Sequence, residues 1–315
     1  MLRLVSIIIA LTFVTACSPT APPPAAPPAD TSAKATVSAE RPSVFVSLIP
    51  QKFFVDRVAG GLVDVHVLIG AGQSEHVFEP TSRQMTDLAE SKLYFAIGSS
   101  PEKAMLAKML PNMKRVRLVN TRDGVKTRVM GHSETCTAHD HDHDHDHGGE
   151  PDPHIWLDPT LVKTQAATVA RALSELLPQH KAAFDANLAK FHAELDALDE
   201  HLAAALAPLR GQTLFAYHPS FGYFADRYGL KQVAIEVSGR EPSPKEAATI
   251  IERAKKDNVR LIITQPQFPT SAAEVIAKEI GGAVLSIDPL APDYIENLER
   301  MAAAVSKAFQ GSAGG

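Results

Sequence analysis

From residue 43 onward, short apolar runs alternate with helix-like stretches, and this alternation occurs twice, on either side of a long helical segment. The pattern restricts the chain to βαβ units and mainly parallel sheets, because parallel neighbours need a crossover that a helix supplies. In the first half, 44–49 (VFVSLI), 63–69, 93–97 (LYFAI) and 116–119 read as strands, with helices expected at 50–60, 81–90 and 101–110. In the second half, 213–217, 232–235, 259–264 and 283–287 read as strands, with helices at 220–229, 243–257, 270–280 and 292–309. Between the halves lie two helical stretches broken at Pro178. In the second stretch Phe184, Leu188, Phe191, Leu195, Leu198, Leu202 and Leu206 step by fours and threes, forming one apolar face. Roughly 28 residues at 1.5 Å each give ~42 Å, enough to run along both halves. A helical bundle would use the same stripe, but the strand-rich flanks argue against it. The expected fold is α/β, with two Rossmann-like lobes of parallel sheet joined by a long backbone helix.

What precedes residue 43 has a different chemistry. Residues 1–17 read MLRLVSIIIALTFVTAC, with Arg3 ahead of an uncharged run from 4 to 14. A membrane-spanning helix needs ~20 apolar residues, so this shorter run fits a secretory leader. Val14-Thr15-Ala16-Cys17 resembles a bacterial lipobox, in which Cys17 would receive lipid and become the first mature residue. Cleavage at an ordinary small-residue site is the other reading. Residues 18–42 hold seven prolines among Ala, Ser and Thr, a composition that stays extended and buries no core. The organisation expected is a lipoprotein signal peptide (1–17), a Pro/Ala-rich tether (18–42), an N-terminal lobe (43–158), a helical connector (159–210) and a C-terminal lobe (211–315). The chain is thus expected outside the cytoplasm, in the periplasmic or an equivalent space, held at a membrane through Cys17.

Composition narrows the function classes. With 45% hydrophobic and 21% charged residues among 315, the chain is neither wholly disordered nor a multi-span membrane protein. A formal charge of -5 and a pI near 6.2 give no basic field for nucleic acid. Two cysteines, Cys17 and Cys136, are too few for a disulfide framework or a four-thiolate metal site. Thirteen histidines are unusual, and their placement is informative.

His76, His154, His218 and Asp288 each fall beyond the carboxyl end of an expected strand, where open α/β sheets bind ligands. Taken singly, each has an ordinary reading: a packed or capping histidine, or a turn aspartate before Pro289. Together, three imidazoles and a carboxylate form a nitrogen and oxygen shell suited to a divalent transition metal, zinc first. A separate run, His139-Asp140-His141-Asp142-His143-Asp144-His145-Asp146-His147, alternates strictly within 132–150. Having no apolar residue to order it, it reads as an adaptable metal-binding loop of five imidazoles, or as a solvated linker. Cys136 lies near it with nothing to specify a role. The alternation does not match HxHxDH, and HExxH is absent, so neither hydrolase motif is present. His66, His180, His192 and His201 read as structural or solvated.

At these residues the chain resembles the zinc- and manganese-binding solute-binding proteins of ABC transporters, the cluster A-I family that includes zinc receptors. SEHVFEPT, PHIWLDP, HPSFGYFADRYGL and IDPL occur in the family's order, and the resemblance spans about residues 43–310. It implies two α/β lobes joined by a backbone helix, with His76, His154, His218 and Asp288 as metal ligands between them. Glu75 matches a position that is acidic in some zinc-type relatives, implying an auxiliary contact through water. Gln265, in ITQPQF, stands where many relatives have Glu, so no charge-dependent role falls to it. The C-lobe disulfide of some relatives is missing here.

The resemblance also implies a role without turnover: capture of Zn2+ outside the cytoplasm and delivery to a cognate ABC permease. In this family a His-rich loop points to zinc, with His139, His141, His143, His145 and His147 as auxiliary ligands. The expected partners are that permease and, through the lipid, a membrane; no nucleic acid is expected, and the chain is expected to be a monomer. The competing readings are a manganese or iron receptor of the same family, a zinc-dependent hydrolase, and a metal-buffering adhesin.

Overall fold

In a computed structural model, which describes residues 41–74, 78–109, 111, 113–131, 151–237 and 239–311, the apolar runs become strands. The first half contains β1 (Ser43–Leu48), α1 (Ile49–Ala59), β2 (Asp64–Ile69), α2 (Ser82–Glu90), β3 (Leu93–Ala96), α3 (Ser100–Met109) and β4 (Arg117–Asn120). The connector is α4 (Pro159–Leu176), a 3-10 turn at Pro178–His180, and α5 (Lys181–Leu206). The second half contains β5 (Thr213–Ala216), α6 (Gly222–Tyr228), β6 (Lys231–Ala234), α7 (Pro244–Lys256), β7 (Leu261–Thr264), α8 (Ser271–Ile280), β8 (Ala283–Ser286) and α9 (Tyr294–Gly311).

Both sheets are parallel throughout and share one topology, β2-β1-β3-β4 and β6-β5-β7-β8. Inner strands are apolar on both faces because helices cover both: β1, β3 and β7 are almost wholly buried. Boundaries shift where local chemistry overrides the apolar pattern. Ile49, expected to end a strand, opens α1 because Pro50 suits a first helical turn and the Gln51 carbonyl accepts from Leu48 N–H at 3.0 Å. Ser243 and Glu246 form a reciprocal capping box at α7, with Pro244 in the first turn.

In each sheet the strand order reverses beside the first strand, between β1 and β3 and between β5 and β7. Such switch points open crevices that usually receive ligands. In the first lobe the protein fills this crevice itself. The buried Glu102 carboxylate, in the first turn of α3, accepts from the Tyr94 hydroxyl at 2.7 Å, Gly98 N–H at 2.6 Å, Ile97 N–H at 3.4 Å, and the Ser47 hydroxyl. Burial, reinforced by that carboxylate, holds the Tyr94 phenol well above its usual range. The crevice of the second lobe is lined differently, by residues after β5 and β7.

The lobes share a core. Phe184, Phe191, Leu195, Leu198, Leu202 and Leu206 of α5 are buried, with Leu188 partly so, as the stripe requires. Phe191 meets Phe53 and Phe54 of α1 at 5.9 and 6.0 Å, and Tyr294 of α9 meets the same rings at 5.9 and 4.9 Å. One apolar cluster therefore runs from the first sheet through the connector to the last helix, while a smaller one lies within the second lobe. The described residues form one compact unit. Among the described residues no helix is long and apolar enough to cross a membrane. Cys17, residues 18–40 and the run 132–150, with Cys136, lie outside the described residues.

Candidate metal centre

His218 stands at the switch point of the second lobe. The β5–β6 register pairs Ala216 with Ala234, and its hydrogen bonds continue past both strand ends, with Glu236 N–H donating to the Tyr217 carbonyl at 3.0 Å. The extension brings Glu236 level with His218, and its carboxylate lies 2.8 Å from His218 Nδ1. Across the crevice, Gln265 brackets the histidine backbone. Its carbonyl accepts from His218 N–H at 3.3 Å, while its amide donates to the His218 carbonyl at 2.7 Å and to Ser220 Oγ at 2.9 Å. Phe268 stacks on the ring with centroids 4.7 Å apart. Little freedom remains to this imidazole.

His154 is positioned by its own neighbourhood in sequence. It precedes the 3-10 turn Ile155–Leu157. Two residues earlier, Asp152 Oδ1 accepts from His154 N–H at 3.0 Å and lies 2.7 Å from Nδ1. Burial pushes the Asp152 carboxyl up, but His154 and Arg128 outweigh it and hold the group below its ordinary range. The turn is pinned from the second half of the chain: Trp156 Nε1–H donates to the Pro289 carbonyl at 2.9 Å, and the Tyr294 hydroxyl donates to the Trp156 carbonyl at 2.8 Å.

These two anchored rings face each other, with His154 Nε2 and His218 Nε2 3.3 Å apart. A carboxylate only accepts, so each Nδ1 carries the ring hydrogen and each Nε2 presents its lone pair. Two lone pairs opposed at this distance repel unless a cation or proton lies between them. Zinc–nitrogen bonds of about 2.0–2.1 Å at the tetrahedral angle separate two ligand nitrogens by about 3.3–3.4 Å, which matches the observed spacing. A carboxylate behind each ligating imidazole is the usual support for a metal-binding histidine.

The other expected ligands are placed less fully. His76 and Glu75 lie outside the described residues, as do His139, His141, His143, His145 and His147. Asp288 is half-buried, and its Oδ1 accepts from Gln267 Nε2 at 2.8 Å and Leu290 N–H at 2.9 Å. Among the described residues no three His, Cys, Asp or Glu side chains gather closely enough to hold an ion by themselves. His66 stacks on Phe45 at 5.1 Å, His201 is exposed, and His192 Nε2 meets the Lys163 carbonyl at 3.1 Å, joining α5 to α4.

Sequence reasoning missed the supporting residues. Asp152 had a local signal, an aspartate two positions before an expected ligand. Glu236 had one only through sheet register, as the residue level with His218 on the neighbouring strand. Gln265 contacts the His218 backbone through both ends of its uncharged amide.

Residues 44–308 match the family described as zinc-uptake complex component A, periplasmic. The chain is 36% identical to ZnuA, whose crystal structure it matches with a TM-score of 0.78 over 85% of this chain and 99% of that one. A deletion mutant of ZnuA with zinc bound is also 36% identical and gives a TM-score of 0.77 over 85% and 98% of the two chains. The zinc-binding lipoprotein AdcA of Streptococcus pneumoniae is 28% identical over 252 residues, covering 79% of this chain and 50% of that protein. The chain spans about half the length of the curated AdcA relatives it matches. With the family matched over nearly the whole described fold, the chain belongs to the periplasmic A components of zinc-uptake complexes.

Proposed function

We propose that this chain is an extracytoplasmic receptor that captures Zn2+ and hands it to an ABC permease without chemical turnover. The observation that carries the reading is the pair of buried imidazoles, 3.3 Å apart at Nε2, each backed by a carboxylate. In this reading His154 and His218 are the prebuilt half of the site, and His76 and Asp288 complete the shell. Gln267 and Leu290 N–H both occupy Oδ1 of Asp288, which leaves Oδ2 as the oxygen for one-oxygen coordination in a tetrahedral shell. A shell of three imidazoles favours zinc over manganese, whose preferred ligands are oxygens. The zinc-binding name of AdcA and the zinc-loaded ZnuA mutant support the same choice. The lipobox at Cys17, together with the lipoprotein name of the pneumococcal relative, supports a membrane anchor.

The test is a competitive titration of metal-free protein with zinc and manganese across pH. The single tryptophan, Trp156, lies with its ring 5.2 Å from that of His154 and serves as a built-in reporter. Zinc is expected to bind one tight site and to resist excess manganese. Because protons compete with the metal for each Nε2, zinc affinity should weaken as the pH is lowered. Preference for manganese, or zinc binding indifferent to acidification, contradicts the reading.

The run 139–147 is proposed as a weaker zinc reservoir. Deleting 132–149 should remove the low-affinity equivalents in a calorimetric titration and leave one tight site. Loss of all zinc binding from a folded deletion protein would show that the two are not separate.

A further inference from the structure

One side chain links the base of the 132–150 segment to both halves of the centre. Arg128, shortly before that segment, donates from Nη1 to Asp152 Oδ2 at 2.9 Å and from Nε to Asp226 Oδ2 at 2.8 Å. Asp152, shortly after it, is fully buried and holds His154 Nδ1 with its other oxygen. Asp226 lies in α6, in the half of the chain that carries His218. Main-chain bonds secure the same junction. Asp152 N–H donates to the Arg128 carbonyl at 2.9 Å, Arg128 N–H donates to the Tyr223 hydroxyl at 3.0 Å, and that hydroxyl donates to the Asp152 carbonyl at 3.1 Å. The guanidinium carbon lies 5.8 Å from the centroid of the Tyr223 ring. It fits because residue 222 is glycine: a Cβ there would fall 1.6 Å from Arg128 Nη1 and 2.9 Å from Asp152 Oδ2.

We infer that Arg128 is a positioning residue for zinc, a strap between the halves that keeps His154 facing His218 and so sets how fast the bound ion leaves. The inference rests on the assignment of zinc to these two histidines. The Arg128–Asp226 contact is part-exposed and by itself is worth little to stability. The Arg128–Asp152 contact differs, because a buried carboxylate deprived of its cation must find another donor. Asp152 can do so only by turning, and His154 Nδ1 turns with it. Arginine suits the position because its rigid planar fork aims Nη1 at one carboxylate and Nε at the other, whereas an ammonium is a point charge on a flexible stem.

The test measures zinc release to a chelator by stopped flow from wild type, Arg128→Gln, Arg128→Lys and Asp226→Asn, with cobalt(II) absorption as a probe of ligand geometry. Arg128→Gln should release zinc about tenfold faster or more, the usual scale for losing a residue behind a metal ligand, and should shift the cobalt bands. Arg128→Lys should recover part of the loss. Asp226→Asn leaves the Asp152 contact in place and is expected to speed release about threefold with unshifted bands. Asp226 is on the surface, so this variant keeps the test decisive if Arg128→Gln fails to fold. Wild-type release rates in Asp226→Asn and in whichever Arg128 variants fold overturn the strap. His218→Ala run in parallel separates the two claims: if it keeps zinc, the metal assignment fails, whereas if it loses zinc while the other variants behave as wild type, only the strap fails.

Discussion

His218→Ala is expected to lower zinc affinity by two to three orders of magnitude while leaving the protein folded. Structural zinc sites bind with roughly 10–16 kcal/mol, so each of four ligands carries about 3 kcal/mol, or a hundredfold at 1.4 kcal/mol per decade. The loss should exceed that share, because His154 and Glu236 are left behind: the first without its partner ligand, the second a buried carboxylate without the imidazole N–H it accepts. Folding should survive, since His218 belongs to neither apolar cluster and the β5–β7 pairing does not use its side chain. His154→Ala should behave similarly. Tight binding with unchanged stoichiometry in both variants would remove the centre from consideration.

Trp156→Ala is expected to have the largest effect on stability. The ring is 1% exposed, sits in the cluster common to both halves, and donates to the Pro289 carbonyl on the segment leading to α9. Truncating a buried tryptophan costs about 3–5 kcal/mol through lost transfer energy and the cavity left behind. That is a large share of the ~5–15 kcal/mol that typically separates folded from unfolded states. For a chain of this size the melting temperature should fall by about 10 °C, followed by circular dichroism because the only tryptophan is gone. Trp156→Phe keeps most of the volume and should recover much of the loss. Zinc affinity should fall as well, since His154 opens the turn that Trp156 anchors. A melting temperature within a degree or two of wild type would show that the clamp between 155–157 and 289–294 does not hold the halves together.

The relation of sequence to structure differs between the frame and the centre. The alternating strands and helices, the α5 stripe and the place of His218 beyond a strand end were legible because they follow from local periodicity: two residues per strand repeat, 3.6 per helical turn. The small boundary errors fell where one residue reset local geometry, as Pro50 and Gln51 do at α1. The shared topology of the two sheets follows from the repeated pattern, but it does not reveal that Glu102 fills one switch-point crevice while His218 and Gln265 line the other.

Taken alone, then, the amino-acid order determined the α/β class and the connector, and put His154 and His218 among the candidate ligands. Tertiary structure decided that Nε2 of His154 and Nε2 of His218 come within 3.3 Å of each other, that Asp152 and Glu236 lie against their Nδ1 atoms, and that Arg128 reaches across to Asp226. The physical reason is range. Secondary structure depends on neighbours a few positions apart, whereas the geometry of this cluster depends on the docking of two halves and on sheet register, where a one-residue slip of β6 against β5 would carry Glu236 away from His218.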